Sequence, residues 1–225
     1  MPWVMLGIDS SDDFISVGLA GRSGVIISKS SAPEMRNKNM IHSFTNDILA
    51  MSNVNIKDLQ GVAVAIGPGS FTGLRVGLAT AKGICWSLNL PLLGVSSLLA
   101  AAHCAQTPNG NFVAIKDAKR NEFYFAGFMT NGLDIRQIIP DSVGPAADIL
   151  ELQRNGFSVI GPGVDEMRRY SPNPTGMAEG YNRDQLGGAV ASLGIALLSR
   201  GETLNLETST PNYIRTPKPK EWKAK

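Results

Sequence analysis

The sequence is poor in the residues that most often carry catalysis and metal binding. Its 225 residues include two histidines, His42 and His103, and two cysteines, Cys85 and Cys104. The histidines lie in different segments, so they do not form the helical pair that commonly binds a metal. Both cysteines lie in apolar segments, which favours buried thiols over a disulfide in a chain of this size. We therefore expect no metal, no cofactor and no catalytic residue.

Excess charge and long apolar runs are also scarce. The formal net charge is +2, whereas dedicated nucleic-acid-binding domains usually carry clustered lysine and arginine. The first apolar run ends at Asp9, short of the length of a secretory leader, and no run approaches the length of a membrane span. We expect a cytoplasmic protein without a membrane segment, in which any RNA contact is local or shared with a partner.

The sequence does contain many short apolar segments in a regular order. Over the first hundred residues their spacing predicts βββαβαβα, with a first helix at 37–51. A shortened version of this order follows, and Gly67-Pro68-Gly69 is repeated as Gly161-Pro162-Gly163, each between a strand and a helix. Two βββαβα lobes in one chain predict an α/β protein with the duplicated actin-like (ASKHA, ribonuclease H-like) fold.

The predicted boundaries follow from this repeat. We assign 1–106 to an N-terminal lobe and 107–215 to a C-terminal lobe that ends with a helix near 186–201. The polar segment 171–185 is predicted to be a mobile loop, and 216–225 a flexible basic tail.

The first glycine-rich turn fits neither common nucleotide-binding motif. Thr72 stands where a dinucleotide fingerprint has its third glycine, and Leu74 follows Gly73 where a P-loop has lysine. Two interpretations stay open: a capped turn without a ligand, or backbone N–H groups that contact an anion. The candidates for a weak phosphate or nucleotide contact are Asp9, Ser10, Gly67, Gly69 and Ser70.

The helix after this turn carries small residues at a spacing of four. Each interior glycine costs roughly 0.5–1 kcal/mol relative to alanine, so a close neighbour is expected on that face. The neighbour is either the first helix of the same lobe or a helix of another chain. The first helix has more apolar residues than one buried stripe needs, which favours an interface. The predicted partner surface comprises Met40, Ile41, Phe44, Ile48, Met51, Gly73, Gly77 and Ala81.

Four sequence motifs, in order, carry a resemblance to a known family. They are GIDSS near the start, His42-Ser43, GPGSFTGLRVGLATAKG from Gly67 to Gly83, and PNYIR from Pro211 to Arg215. Together they resemble the bacterial TsaB family, also called YeaZ, over nearly the whole chain. The resemblance implies the duplicated actin-like fold and a non-catalytic role in making threonylcarbamoyladenosine beside the tRNA anticodon.

The resemblance also implies partners. TsaB proteins pair with the paralogue TsaD, which holds the metal and transfers the threonylcarbamoyl group, and the ATPase TsaE joins them. We expect a homodimer when TsaD is absent and contact with tRNA only through the complex. The family usually has an acidic residue where this chain has Phe44, which favours an apolar contact there. Near the C-terminus, Tyr213 and Arg215 are expected to pack against the body of the protein.

The alternative function is a stand-alone ATP-using enzyme or a peptidase-like protein of the actin-like superfamily. Its main candidate residue is Asp9, which follows the first predicted strand. Asp165 and Glu166 follow the second glycine-rich turn, where carboxylates would repel a nucleotide phosphate. The sequence therefore favours the non-catalytic role.

Overall fold

A computed structural model describes residues 3–31, 40–105, 109–131, 134–171 and 181–215 of the chain. Two β-sheets and their covering helices make up the fold. The strands are β1 (Val4–Asp9), β2 (Ser16–Gly21), β3 (Gly24–Ser30), β4 (Leu59–Gly67), β5 (Leu92–Ser96), β6 (Gly110–Asp117), β7 (Glu122–Thr130), β8 (Ile135–Pro145) and β9 (Ser158–Ile160). The helices are α1 (Met40–Met51), α2 (Phe71–Leu88), α3 (Ser97–His103), α4 (Ala146–Arg154), α5 (Val164–Met167) and α6 (Leu186–Ser199).

The two sheets share one topology. The first has the order β3-β2-β1-β4-β5, in which β1, β2 and β3 form an antiparallel meander and β4 and β5 run parallel to β1. The second has the order β8-β7-β6-β9, again an antiparallel meander with a parallel strand beside its first member. The repeat confirms the predicted duplicated actin-like fold.

Side chains alternate between the two faces of the first sheet. On β1, Leu6 and Ile8 belong to the core cluster that includes residues of α1 and α2, and Met5 packs on the opposite face with residues of α6. Gly7 also faces α6, where a Cβ would lie 2.1 Å from the carbonyl oxygen of Gly187. Glycine at this strand position therefore lets the helix backbone approach the sheet.

The packing of α6 differs from the predicted lobe boundary. Although it follows the second sheet in sequence, α6 covers the first sheet, where Ala189, Val190 and Ala191 share a core with Met5. Further along, the N–H of Leu204 donates to the carbonyl oxygen of Leu92 at 2.8 Å. A division at 106/107 thus separates the two sheets, but it assigns α6 to the C-terminal lobe although this helix packs on the sheet of the N-terminal lobe. The periodicity of a helix shows that one face is buried but not which surface covers it. The sequence therefore did not show that α6 packs on the first sheet.

Some sequence predictions fall outside the described residues. These are the start of the first helix at 37–39, most of the predicted mobile loop (172–180) and the tail at 216–225. Among the helices that the structure describes, none combines the length and apolar character needed to cross a membrane.

Candidate functional site

The small-residue stripe of α2 faces the interior of its own lobe. Gly73, Gly77 and Ala81 are all buried. A Cβ at Gly77 would lie 2.3 Å from Oγ of Ser10, and that hydroxyl donates to the carbonyl oxygen of Gly73 at 2.8 Å. The close neighbour that these glycines require is therefore the end of β1. The prediction that this stripe contacts a partner chain is wrong.

Most of the predicted apolar contacts on α1 are also internal. Ile41, Phe44 and Ile48 are buried in the core cluster that includes Leu78 of α2. The breadth of the apolar stripe on α1 reflects its packing across β2 and β3 rather than surplus surface. These three residues are therefore removed from the predicted partner surface, and Phe44 makes the apolar contact expected of it. Met40 is half-buried and Met51 is 71% exposed.

The opposite face of α2 carries a second set of small residues. Ala79 and Gly83, four positions apart, are exposed, and nothing lies within 4 Å of a Cβ placed at Gly83. The side chain of Trp86 is close by in sequence and 70% exposed. A shallow surface groove connects this face with the start of α1, and it is lined by His42, Ala79, Thr80, Gly83, Ile84 and Ser87.

We call the exposed residues Ala79, Gly83 and Trp86, with the groove, the outer helical face. Met51, at the other end of α1 from His42, lies outside this face and stays a prediction. The sequence analysis missed the α2 residues of this face because both faces of α2 carry small residues spaced by four, and spacing alone does not show which face is buried. The signal that could have separated the registers is the position of Arg75 and Trp86, whose side chains are exposed.

A cleft of about 370 Å³ lies between the lobes at the ends of β1, β4 and β6. On the first-lobe side, Ser70 caps α2 by accepting from the N–H of Gly73 at 3.2 Å. The N–H of Ser70 itself donates to the carbonyl oxygen of Ser11 at 2.7 Å. A Cβ at Gly69 would lie 2.1 Å from the same oxygen, and one at Gly67 would lie 2.6 Å from the carbonyl oxygen of Asn212. The glycines thus serve close backbone packing around a capped turn.

Polar side chains from both lobes meet at the floor of the cleft. Asp9, Ser11 and Lys116 are nearly inaccessible to solvent, and Nζ of Lys116 in β6 donates to Oγ of Ser11 at 2.5 Å. The same hydroxyl donates to Oδ1 of Asp9 at 2.6 Å. The pKa of the nearby Cys104 is raised to about 12, chiefly by burial and also by the charge of Asp9, while the charge of Lys116 acts in the opposite direction. Sequence reasoning missed Lys116, since a lysine before a charged turn usually points to solvent.

The mouth of the cleft is crossed by the segment that contains Tyr213 and Arg215. Nε of Arg75 donates to the hydroxyl of Tyr213 at 2.9 Å, and the rings of Phe71 and Tyr213 are 5.0 Å apart. Arg215 donates to the carbonyl oxygen of Ala118 at 3.2 Å and pairs with Glu122 of β7. These contacts confirm that Tyr213 and Arg215 pack against the body, and they join α2 to the second lobe.

Among the described residues, no three His, Cys, Asp or Glu side chains are grouped as a metal site would require. His42 lines the outer groove, whereas Nδ1 of His103 lies 3.0 Å from the carbonyl oxygen of Leu99. After the second glycine-rich turn, Glu166 pairs with Arg169 at 2.9 Å. The structure thus brings together Asp9, Ser10 and the first glycine-rich turn, but it keeps the histidines apart from them.

Comparison with known proteins agrees with this architecture. Residues 33–183 match the model of the family TsaD: tRNA N6-adenosine threonylcarbamoyltransferase. The tRNA threonylcarbamoyladenosine biosynthesis protein TsaB of Bacillus subtilis is 33% identical over 154 residues, 66% of this chain and 65% of that protein. TsaB of Haemophilus influenzae is 31% identical over 170 residues, 71% of this chain and 72% of that protein. The match to the Bacillus protein therefore spans less than two thirds of its length.

A solved structure supports the fold. YeaZ from Pseudomonas aeruginosa superposes with a TM-score of 0.77 at 22% identity, covering 94% of this chain and 99% of that one. Fold and cleft together define a duplicated actin-like α/β protein whose own side chains occupy the floor of the cleft. The chain belongs to the family of the matching TsaD model and, within it, to the TsaB (YeaZ) proteins.

Proposed function

We propose that this protein is a non-catalytic subunit in the formation of threonylcarbamoyladenosine in tRNA, and that it acts in the cytoplasm by binding a TsaD-type partner. Support comes from the relatives named TsaB and from the match to the TsaD family model. In this role the chain binds and positions its partner, and it reaches tRNA only through the complex.

The outer helical face is the proposed partner surface. It replaces the surface expected from sequence while keeping the same two helices, α1 and α2. The observation that carries this assignment is Trp86, a large aromatic side chain that is 70% exposed. Tryptophan is enriched in protein interfaces, and exposed small residues such as Ala79 and Gly83 allow a partner helix to approach closely.

Two further associations belong to the same proposal. Without a TsaD-type partner, the outer helical face pairs with the same face of a second copy, because a two-fold axis needs only one self-complementary patch. A TsaE-type ATPase joins the pair formed with the TsaD-type partner. The first association predicts that a homodimer and the partner compete for one surface.

Contacts in the cleft support a non-catalytic role. A nucleotide phosphate at the glycine-rich turn would need free backbone N–H donors, yet that of Ser70 already donates to Ser11. Phosphoryl transfer also needs a base beside the acceptor, and the candidate expected from the sequence, Asp9, is buried and accepts bonds from Ser11. Neither arrangement favours the alternative of a stand-alone ATP-using enzyme or peptidase.

Reconstitution tests the proposal. The purified chain is assayed alone for magnesium-dependent ATP turnover and for tRNA modification, and then with the TsaD-type partner, a TsaE-type ATPase and a supply of the threonylcarbamoyl donor. We expect no activity from the chain alone and a requirement for it in the mixture, saturating at a fixed ratio to the partner. Substantial ATP turnover by the chain alone, or full modification without it, contradicts the proposal.

A further inference from the structure

The floor of the cleft contains a buried lysine whose contacts resemble those of a bound cation. Nζ of Lys116 lies 2.5 Å from Oγ of Ser11 and 4.0 Å from Oδ2 of Asp12. Ser11 links the lysine to Asp9, whose Oδ1 accepts from both the hydroxyl and the N–H of Ser11 at 2.6 and 2.7 Å. From the first lobe, the Ser11 hydroxyl and the Asp12 carboxylate thus face the ammonium directly, and Asp9 is linked to it through the Ser11 hydroxyl.

The charges at this site depend on one another. Asp9 and Lys116 are both nearly inaccessible to solvent, whereas the side chain of Asp12 is 29% exposed. A buried ion without a counter-charge costs several kcal/mol, so the buried Lys116 and Asp9 must balance each other. Oδ2 of Asp9 is buried and has no hydrogen-bond partner among the residues that the structure describes. The first lobe therefore offers more oxygen ligands than the single ammonium uses.

We propose that Lys116 is a built-in cation of the cleft: its ammonium fills a cation site formed by Asp9, Ser11 and Asp12, and its removal converts that site into one that binds a divalent metal ion. Carboxylate and hydroxyl oxygens are the ligands that hard divalent cations prefer. While Lys116 is present, a second cation is excluded by charge repulsion and by lack of space. The inference goes beyond the proposed function, because the cleft is distinct from the outer helical face.

The consequence for the lobes is a fixed electrostatic link. In a cleft that takes an exchangeable cation, a contact bridged by that cation forms only when the cation binds. Here the second lobe supplies its own cation on β6. The link between the lobes therefore does not depend on any soluble metal ion.

Replacing Lys116 with alanine tests the proposal. The matched control is Lys119→Ala, which removes a lysine from the mouth of the same cleft, where its side chain is 73% exposed and pairs with Asp117. Thermal unfolding is followed in EDTA and in millimolar Mn²⁺, and bound Mn²⁺ is counted by electron paramagnetic resonance.

We expect Lys116→Ala to lower Tm in EDTA, to recover part of the loss in Mn²⁺ and to bind one Mn²⁺ ion. The wild type and Lys119→Ala should bind none in the cleft, and adding Asp9→Asn to Lys116→Ala should abolish binding. A Lys116→Ala variant that folds without binding Mn²⁺, or wild-type protein that binds Mn²⁺ in an Asp9-dependent manner, overturns the proposal.

A double-mutant cycle keeps the proposal testable if Lys116→Ala does not fold. Lys116→Met and Asp9→Asn replace the charged groups with neutral side chains of similar size. Each single variant leaves one of the two buried charges, Asp9 or Lys116, without its buried counter-charge, whereas the double variant removes both, so its Tm should lie above the additive value. A double variant at or below the additive Tm, or one that also fails to fold, overturns the proposal.

Discussion

The two faces of α2 carry similar small residues but do different things. On the inner face, Gly77 lies against Ser10 and lets the helix pack closely on the end of β1. On the outer face, Gly83 meets nothing and lies near the exposed Trp86. Glycines spaced by four therefore indicate a helix that packs closely against something. Only the positions of the surrounding residues show which side of the helix packs inside the lobe and which side remains exposed to another chain.

The largest effect should come from placing a bulky side chain on the inner face. Gly77→Leu should lower the free energy of unfolding by about 3 kcal/mol or more, because the new side chain displaces Ser10 and separates α2 from the sheet. The matched control is Gly83→Leu on the outer face, which should cause no loss and a gain of up to about 1 kcal/mol, because leucine is a better helix former than glycine and Gly83 has open space around it. Urea unfolding of both variants measures the difference, and equal losses would contradict the assignment of the two faces.

The helix cap provides a second, intermediate effect. Ser70→Ala should cost about 1 kcal/mol of stability, since it removes the side-chain acceptor for the N–H of Gly73. Ser87→Ala serves as the control, because among the described residues that exposed hydroxyl bonds only to the carbonyl oxygen of Ile84, one turn earlier. If the two substitutions change the urea midpoint equally, the cap does not stabilise α2.

The smallest expected change in stability is a gain rather than a loss. Gly83→Ala should stabilise the isolated protein by roughly 0.5–1 kcal/mol, because alanine is the better helix former and Gly83 has open space around it. Gly77→Ala, its counterpart on the inner face, should be destabilising. Calorimetric Tm values for this pair give the sign directly, and stabilisation by both substitutions would rule out the close contact at Gly77.

The sequence predicted the element order well because each element is short, apolar and set off by polar or glycine-rich turns. The meander β1–β3, the repeat of the Gly-Pro-Gly turns and the final helix all appear where predicted. The lobe boundary was less well predicted, since α6 returns to the first sheet. Periodicity reports that a helix has a buried face, but the identity of the opposing surface depends on long-range packing.

The candidate sites were harder to predict for the same reason. Phe44 looked like surplus apolar surface because the width of the sheet beneath α1 is not visible in its own sequence. Lys116 gave no local signal, because its burial depends on Ser11 and Asp12 from the other lobe. Tyr213 and Arg215 were predictable in part, since an aromatic and an arginine beside a proline favour docking over disorder.

The central claim is that the outer helical face binds a TsaD-type partner while the inner face only holds the lobe together. The most direct test is the calorimetric Kd of that partner for Trp86→Glu, with Met129→Glu as the control, because Met129 is 44% exposed on β7 of the other sheet. We predict that Trp86→Glu weakens binding about 30-fold or more with an unchanged Tm, and that Met129→Glu leaves Kd unchanged. An unchanged Kd for a folded Trp86→Glu variant would contradict the account.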